Sequence, residues 1–397
     1  MSPRVFLCGT GVVSPIGSGW DEFRQGVMEG IPGSADLSVF DGSRLPVHHA
    51  AEARRGGKVI PSDDATDRKS IFLEMAAREL LSGHSGWRKV PSSGRWAILG
   101  GGIEHFDLAG YTGDPDPDWR VYQGRYRIAV DRICQEFGVL GLRSVNVSAC
   151  VGATQALGAA FRHVRADPGL AVLSGGADSM LSPLHYMGFH HLGALSEWKG
   201  DPARACKPFD ADRCGIVLGE GSGLTVVQSE RTAEPSEILA EIVGYGSSLD
   251  AHMVTDPDPE GTQLARCALD ALEDAGIRPE DVDCVHLHGT GTPKNEPAEA
   301  NAMRRIFGAR AKDVPVYSLK GQVGHLVGAC GAVETLAAAL CLREQVVLPT
   351  VNCQRPDPSL GLRVVMGEPL RMDIRHVLKL NAAFGGQNAA LLLRRWE

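Results

Sequence analysis

The stretch of sequence that decides the fold is Val145-Asn146-Val147-Ser148-Ala149-Cys150-Val151-Gly152-Ala153, followed by Thr154-Gln155-Ala156-Leu157-Gly158-Ala159-Ala160-Phe161. The first part is typical of an apolar strand that stops at Cys150, and the small residues after it are typical of a helix start. A thiol at such a junction meets unpaired N–H groups and the positive dipole end of the helix, which favour the thiolate. The stretch therefore predicts a strand-to-helix unit with a reactive cysteine at its turn.

Length and composition restrict the class of protein. The chain has 397 residues, 43% apolar and 22% charged, so it can bury a large core as one domain or as two fused halves. Its longest apolar runs, such as Leu336 to Leu342, are too short to cross a bilayer, and its first residues lack a signal-peptide pattern. The net charge of −8 opposes nonspecific binding of nucleic acid. We therefore expect a cytoplasmic protein that binds neither membranes nor nucleic acid.

Two pairs of segments are weak copies of each other. The strand-like run Val5-Phe6-Leu7-Cys8-Gly9-Thr10-Gly11 is echoed by Ala240-Glu241-Ile242-Val243-Gly244-Tyr245-Gly246. The strand and helix around Cys150 are echoed by Pro315-Val316-Tyr317-Ser318-Leu319-Lys320 and the helix-like stretch after His325. With alternating strands and helices elsewhere, this pattern predicts a duplicated α/β fold. We place the N-terminal half at residues 1–235 and the C-terminal half at 236–397, joined by a polar linker near 230–238.

Further side chains complete a candidate site around Cys150. His288 begins His288-Gly289-Thr290-Gly291-Thr292, and His325 ends Lys320-Gly321-Gln322-Val323-Gly324-His325. Glycines let the backbone approach a ligand closely, and a glycine-spaced turn can direct a lysine and a histidine into one pocket. One activatable cysteine with two glycine-flanked histidines and a lysine indicates acyl-thioester chemistry.

Two other kinds of site use the same residue types. A cysteine protease needs one histidine and an Asn or Asp that orients it, but not a second glycine-flanked histidine with a lysine. A metal ion could be held by Cys150, His288 and His325. Catalytic cysteine–zinc sites usually bring a spaced pair of ligands, however, and the ten cysteines of this chain include no CxxC pair. We therefore predict a site without a metal.

At this point the sequence resembles the β-ketoacyl-acyl carrier protein synthases, the elongating condensing enzymes with a thiolase-like fold. The resemblance runs nearly end to end and implies duplicated α/β halves in an α-β-α-β-α layered architecture. The order of one cysteine, two histidines and a lysine distinguishes this chain from the initiating synthases, which pair cysteine with histidine and asparagine. The motifs that carry the resemblance are Gly9 to Gly17, Ser148-Ala149-Cys150, Pro208 to Arg213, Leu218-Gly219-Glu220-Gly221, His288 to Pro293, Lys320 to His325 and Phe384-Gly385-Gly386.

The resemblance implies a role for each of these groups in the reaction. Cys150 takes up the acyl group, and the backbone N–H groups of Cys150 and Phe384 stabilise the oxyanion. His288 and His325 stabilise the enolate that forms when a malonyl thioester loses CO2.

It also implies the groups that support them. Lys320 and Glu334 orient His325, and Phe384 gates the cysteine. Thr290 and Thr292 hydrogen-bond the phosphopantetheine arm of the carrier protein. Since decarboxylation drives the reaction, no metal or redox cofactor is expected.

One loop departs from the family pattern. The usual Asn-Ser-Phe-Gly-Phe-Gly-Gly-Thr-Asn appears as Leu380-Asn381-Ala382-Ala383-Phe384-Gly385-Gly386-Gln387-Asn388, so Ala382 stands where a phenylalanine is usual and Ala383 where a glycine is usual. The first change removes bulk and the second stiffens the loop. These departures favour a specialised pathway, that is, a polyketide, polyene or unusual fatty acid pathway.

The expected partners are an acyl carrier protein and a second subunit, in a homodimer or in a heterodimer with a ketosynthase-like chain. Three alternatives stay open. The chain could be an acyltransferase that does not decarboxylate, a catalytic subunit that needs a chain-length-factor-like partner, or a non-enzymatic partner subunit. The intact Cys150 opposes the last.

Overall fold

The computed structural model describes residues 3–61, 67–102 and 125–397, and strands and helices alternate along them. The strands are β1 (Val5–Ser14), β2 (Gly17–Ser18), β3 (Ala35–Asp36), β4 (His49–Ala51), β5 (Arg54–Arg55), β6 (Lys58–Val59), β7 (Arg95–Gly101), β8 (Arg143–Asn146), β9 (Ala171–Ser179), β10 (Leu218–Ser229), β11 (Ile238–Leu249), β12 (Cys284–His286), β13 (Pro315–Tyr317), β14 (Val346–Val347), β15 (Arg363–Val364), β16 (Leu370–Arg371), β17 (His376–Ala382) and β18 (Gln387–Arg394). The helices are α1 (Trp20–Glu29), α2 (Arg68–Gly83), α3 (Ser85–Lys89), α4 (Arg125–Glu136), α5 (Gly152–Ala166), α6 (Pro183–His191), α7 (Thr262–Ala275), α8 (Asn295–Phe307), α9 (Lys320–Val323) and α10 (Cys330–Glu344).

Each half builds a mixed sheet with the same strand order. In the N-terminal half the order is β1-β10-β9-β7-β8, with β7 parallel to β8 and β9, and β10 antiparallel to β1 and β9. In the C-terminal half the order is β11-β18-β17-β12-β13, with β12 parallel to β13 and β17, and β18 antiparallel to β11 and β17. The two sheets meet where β1 pairs antiparallel with β11, Val5 lying opposite Ile242. The predicted duplication is therefore confirmed, since β11 repeats β1 and β13 repeats β8.

The helices form three layers around the two sheets. α5 and α10 contact strands of both halves and each other, so they lie between the sheets, whereas α2 covers β1, β9 and β10, and α7 covers β11 and β18. In α10 every residue from Cys330 to Leu342 is buried. The two inner helices approach closely because Gly331 has no side chain: a Cβ there would lie 2.2 Å from Thr154 Oγ1. The predicted α-β-α-β-α layering is confirmed.

The topology gathers the candidate residues at one end of the parallel strands. Cys150 follows β8, His288 follows β12, Lys320 follows β13, and Phe384 follows β17. Open α/β sheets bind their ligands at the carboxyl ends of such strands.

The connection between the halves runs from Ser229 at the end of β10 to Ile238 at the start of β11, with a short 3-10 turn at Pro235–Glu237. The exact division at 235/236 stays a prediction. None of the helices in the described ranges combines the length and the apolar character that a bilayer crossing requires.

Candidate active site

Cys150 lies in a sharp turn between β8 and α5. The strand ends at Asn146 and so is shorter than the sequence predicts, and a 3-10 turn over Ala149–Val151 leads into α5. The backbone reverses at Ala149, whose φ of +46° lies in the left-handed region. That region costs a residue with a Cβ roughly 1 kcal/mol, and the turn presents the thiol to a cavity instead of the core.

The resting form of Cys150 is the thiol. Burial raises the pKa of Cys150 to about 12, although the positive charge of Lys320 and the backbone N–H of Phe384 both act to lower it. The position at a helix start is as predicted, but the thiolate that this position favours is outweighed by desolvation. A reaction in which this sulfur acts as a nucleophile therefore requires the thiol to lose its proton.

His288 is held as a neutral imidazole with its proton on Nε2. Its Nδ1 lies 3.2 Å from Lys320 Nζ and 3.1 Å from Asn381 Nδ2, both of which are donors. Nδ1 is therefore the acceptor, and the ring proton resides on Nε2. Burial, with the nearby charge of Lys320, holds the pKa of His288 well below its usual value.

His325 has the same tautomer for a different reason. It precedes the 3-10 turn Val327–Ala329, and the backbone N–H of Val327 donates to its Nδ1 over 3.0 Å. Burial and the charge of Lys320 lower the pKa of His325 to about 3. The two imidazole rings of His288 and His325 lie 5.3 Å apart and almost perpendicular. Two neutral N–H donors thus stand side by side next to the thiol of Cys150.

The thiol and the two imidazoles form one cluster. One ligating atom each from Cys150, His288 and His325 lies within 4.8 Å of the others, and all three side chains are buried. This spacing lets one small group, such as a thioester carbonyl, contact the thiol and both donors. The prediction that the cluster works without a metal stays a prediction.

Lys320 and Glu334 form a buried ion pair behind His288. Their Nζ and Oε1 atoms lie 2.5 Å apart, and Lys320 also donates to the carbonyl oxygen of His288 over 2.7 Å. Burial alone would lower the pKa of Lys320 and raise that of Glu334. Their mutual attraction outweighs it, so the pKa of Lys320 is raised and that of Glu334 falls to about 2. The resemblance assigned this pair to His325, but the hydrogen bond to an imidazole goes to His288.

The remaining predicted residues line the approach to the cysteine. Thr290 and Thr292 place their hydroxyl oxygens 3.0 Å apart, and the ring of Phe384 stacks on Phe189 with centroids 6.3 Å apart. They belong to a cavity of about 250 Å³ whose wall also includes the apolar residues Leu192, Ala194, Ile216, Ala382 and Ala383. The predicted site residues in this wall are Cys150, His288, Thr290, Thr292, His325 and Phe384.

Several buried polar residues support the site without having been assigned to it from the sequence. Glu299 accepts the backbone N–H groups of His288 and Gly289 at 2.6 and 2.8 Å, and Glu296 accepts those of Gly291 and Thr292. Two more, Lys379 and Asn381, come from β17 and are fully buried. The sequence signal for Lys379 and Asn381 was their position inside an otherwise apolar strand. Burial of such polar residues is costly unless they are paired.

Comparison with known proteins gives a consistent result over both halves. Residues 2–233 match the family model for the β-ketoacyl synthase N-terminal domain, and residues 239–354 match the model for the β-ketoacyl synthase C-terminal domain. The 3-oxoacyl-[acyl-carrier-protein] synthase 2 of Staphylococcus aureus (strain COL) is 32% identical over 409 aligned positions, which cover 99% of each chain.

The whole fold is also found in solved structures, including the following two. One is a chain of the AntDE:AntF complex, described as a type II PKS acyl-carrier protein in complex with its ketosynthase bound to the hexaketide. It has a TM-score of 0.88 and 27% identity over 100% of both chains. The other belongs to the ishigamide ketosynthase/chain length factor, with a TM-score of 0.87 and 28% identity over 100% of both chains.

Proposed function

The chain belongs to the β-ketoacyl synthase family and is an acyltransferase of the 3-oxoacyl-[acyl-carrier-protein] synthase type, and from this premise we propose which of its residues carries out each step of the reaction. The substrates are an acyl thioester and a malonyl thioester, each on the phosphopantetheine arm of an acyl carrier protein. The products are a 3-oxoacyl thioester, CO2 and a free carrier thiol. The observation that carries the proposal is the cluster of one thiol and two imidazoles within 4.8 Å.

In the first half-reaction Cys150 takes up the acyl group. Its sulfur attacks the thioester carbonyl, the bond to the carrier sulfur breaks, and the carrier leaves as the thiol with the proton that Cys150 has lost. The N–H of Phe384, which is directed at the Cys150 sulfur, stabilises the developing oxyanion together with the N–H of Cys150. Loss of one hydrogen-bond donor in such a position typically lowers kcat by a factor of roughly 10² to 10³.

In the second half-reaction His288 and His325 act on the malonyl thioester. Their Nε2–H groups donate to its carbonyl oxygen, so that negative charge can accumulate there as CO2 leaves. The resulting carbon nucleophile attacks the acyl carbonyl on Cys150, and the sulfur of Cys150 leaves and takes up one proton from the solvent, which restores the thiol. Neutral donors suit this step, because a proton that stays on nitrogen leaves the enolate carbon free to react.

Thr290 and Thr292 lie on the same cavity wall as the two histidines, and their hydroxyl oxygens lie 3.0 Å apart. We assign them to the phosphopantetheine arm. Phe384 combines the backbone donor with a ring that stacks on Phe189 at the cavity wall, which suits a gate.

The partners and the pathway follow from the relatives and from the cavity. The partner is an acyl carrier protein, and a second ketosynthase-like subunit completes a homodimer or a heterodimer, as in the ketosynthase/chain length factor relative. The pathway is a specialised one, because Ala382, where a phenylalanine is usual, leaves room in the cavity wall near Phe384, and Ala383, where a glycine is usual, stiffens the loop. The cytoplasmic location stays a prediction from the sequence.

The test is a reconstitution with acyl- and malonyl-carrier protein, in which product mass and CO2 release are followed. We expect a carrier-bound 3-oxoacyl product and one CO2 per product. Acyl transfer to other nucleophiles without any 3-oxoacyl product, across several acyl starters, would favour the non-decarboxylating acyltransferase and contradict the proposal. Product formation only after addition of a second ketosynthase-like subunit would identify a heterodimer.

A further inference from the structure

Two polar residues of β17 reach into the layer between the sheets. Lys379 and Asn381 are two positions apart on one strand, so their side chains point to the same face, and both are fully buried. A buried ammonium and a buried amide are costly unless all their hydrogen-bonding groups are paired. Their partners therefore indicate what the pair does.

The ammonium group of Lys379 contacts neutral oxygens on one side and a carboxylate on the other. Its Nζ donates to Thr154 Oγ1 over 2.6 Å and to Asn381 Oδ1, and it lies 3.7 Å from Glu334 Oε2. The hydroxyl of Thr154 donates to the same Asn381 Oδ1 over 2.6 Å. Two donors thus converge on the carbonyl oxygen of the Asn381 side chain.

The amide nitrogen of Asn381 is directed the other way. It donates to Glu334 Oε2 over 2.7 Å and lies 3.1 Å from Nδ1 of His288. The reverse orientation of the amide would bring its NH2 group against the ammonium of Lys379 and its oxygen against the carboxylate of Glu334. The orientation of Asn381 is therefore fixed by charge on both sides.

The charges around Lys379 belong to the same cluster. Glu334 lies between Lys379 and Lys320, so its carboxylate is the negative charge that both ammonium groups contact. Burial lowers the pKa of Lys379 to about 8, although Glu334 opposes that effect. At neutral pH Lys379 remains mainly protonated and keeps its hold on Asn381.

We propose that Asn381, oriented by Lys379 and Thr154, is a positioning residue that keeps Nδ1 of His288 unprotonated and so keeps the donor proton on Nε2. The inference rests on the proposed role of His288 in decarboxylation. It adds that Lys320 does not act alone: the imidazole is held by two donors, one from α9 and one from β17. Asn381 does not touch the substrate, and its effect passes through His288.

Two substitutions of nearly the same size separate donation from packing. Asn381→Asp puts an acceptor where the donor stands, so that the Nδ1–H tautomer gains population at the expense of Nε2–H although Lys320 still faces Nδ1. Asn381→Leu removes the contact without reversing it and leaves Lys320 as the donor to Nδ1. Changes in the groups around a ligating or catalytic histidine typically cost 10- to 100-fold. We expect about that loss of malonyl decarboxylation for Asn381→Asp and a smaller loss for Asn381→Leu.

The measurements are decarboxylation, acylation of Cys150 and the tautomer of His288. Histidine-selective ¹⁵N NMR, with the His288 signal assigned by its absence in His288→Gln, reports which nitrogen carries the proton. We expect Nε2–H in the unsubstituted protein and in Asn381→Leu, and a measurable population of Nδ1–H in Asn381→Asp. Acylation of Cys150 in Asn381→Asp should remain within about threefold, because His288 is not required for loading.

Lys379→Met and Thr154→Val complete the set. Each releases one contact to the Asn381 oxygen, so decarboxylation should fall less than in Asn381→Asp. Equal losses of decarboxylation and acylation in Asn381→Asp and Asn381→Leu, with an unchanged His288 tautomer, would overturn the inference in favour of a packing role. If the unsubstituted protein released no CO2, the proposed function would fail, whereas the tautomer measurement would still decide the role of Asn381.

Discussion

The two strand-to-helix turns of the duplicated fold have the same backbone but different contents. In the N-terminal half, Ala149 has φ +46° and begins a 3-10 turn that leads into α5. In the C-terminal half, Val327 has φ +44° and begins a 3-10 turn that leads into α10. The residue after the left-handed position is Cys150 in the first turn and Gly328 in the second.

The surroundings explain why only one turn presents a reactive side chain. Cys150 faces the cavity, whereas a Cβ at Gly328 would lie 2.6 to 2.8 Å from Gly101, Gly102 and Asp178. The N–H of Gly328 donates to Asp178 Oδ2 over 2.7 Å. The second turn instead positions His325 through the N–H of Val327. Duplication thus supplies two similar turns, of which the N-terminal one carries the proposed nucleophile Cys150 and the C-terminal one positions the proposed donor His325.

The largest expected effect comes from removing the nucleophile of the first turn. In Cys150→Gln, acylation and condensation should fall at least about 10³-fold, as is typical when a nucleophile is removed. Malonyl decarboxylation should persist, because the histidines of the other half remain. Intact-protein mass spectrometry and CO2 release measure the two steps. Survival of acylation in this variant would mean that the nucleophile is misassigned.

The second expected effect concerns the C-terminal turn, in which Gly328 packs closely against the neighbouring backbone. Gly328→Ala forces a methyl group against the backbone of Gly101 and Gly102 and should lower the free energy of unfolding by about 1–3 kcal/mol. Ala149→Gly relieves a left-handed alanine at the corresponding position and should change stability by less than about 1 kcal/mol. Urea unfolding of both variants measures the contrast. Equal destabilisation of the two would show that the turns are packed alike.

The smallest expected effect concerns pH. His286 packs edge-on against Tyr317, and among the described residues neither of its ring nitrogens has a hydrogen-bond partner. Burial lowers the pKa of His286 to about 3, so the unfolded chain, with a histidine pKa near 6.5, binds a proton that the folded chain does not. The stability that His286 contributes is therefore complete above about pH 6.5 and is lost as the pH falls towards 3.

The matched variants are His286→Leu in the core and His48→Leu at an exposed position. Between pH 7 and pH 5.5, unfolding measurements should show that His286→Leu loses about 1 kcal/mol less stability than the unsubstituted protein. His48→Leu should follow the unsubstituted protein. An identical pH dependence in all three would contradict a neutral, buried His286.

Much of the fold could be predicted from the sequence because its signals are local. Gly-x-Gly within β1 and β11, and a candidate site residue between strand and helix in both halves, are visible as repeated short patterns. The end of β8 could not be predicted, since Val147 continues the apolar run although the strand stops at Asn146.

The candidate site was predictable only in part. The order of Cys150, His288, Lys320 and His325 is carried by glycine-flanked motifs, but which of the two histidines contacts Lys320 depends on the three-dimensional placement of α9 and of the loop after β12. Lys379 and Asn381 belong to no sequence motif. Their role can be inferred only from their contacts with Thr154 and Glu334, which are distant in sequence. The protonated state of Cys150 follows from burial, which raises the pKa of the thiol and cannot be read from a local sequence pattern.

The division of labour between the two turns is tested most directly by His325→Ala. Acylation of Cys150 and CO2 release from malonyl-carrier protein are measured on the same preparation. We predict that loading of Cys150 persists within about tenfold while CO2 release falls roughly 10²-fold or more, as for the loss of a donor to a developing oxyanion. Loss of loading with retained CO2 release would contradict the account.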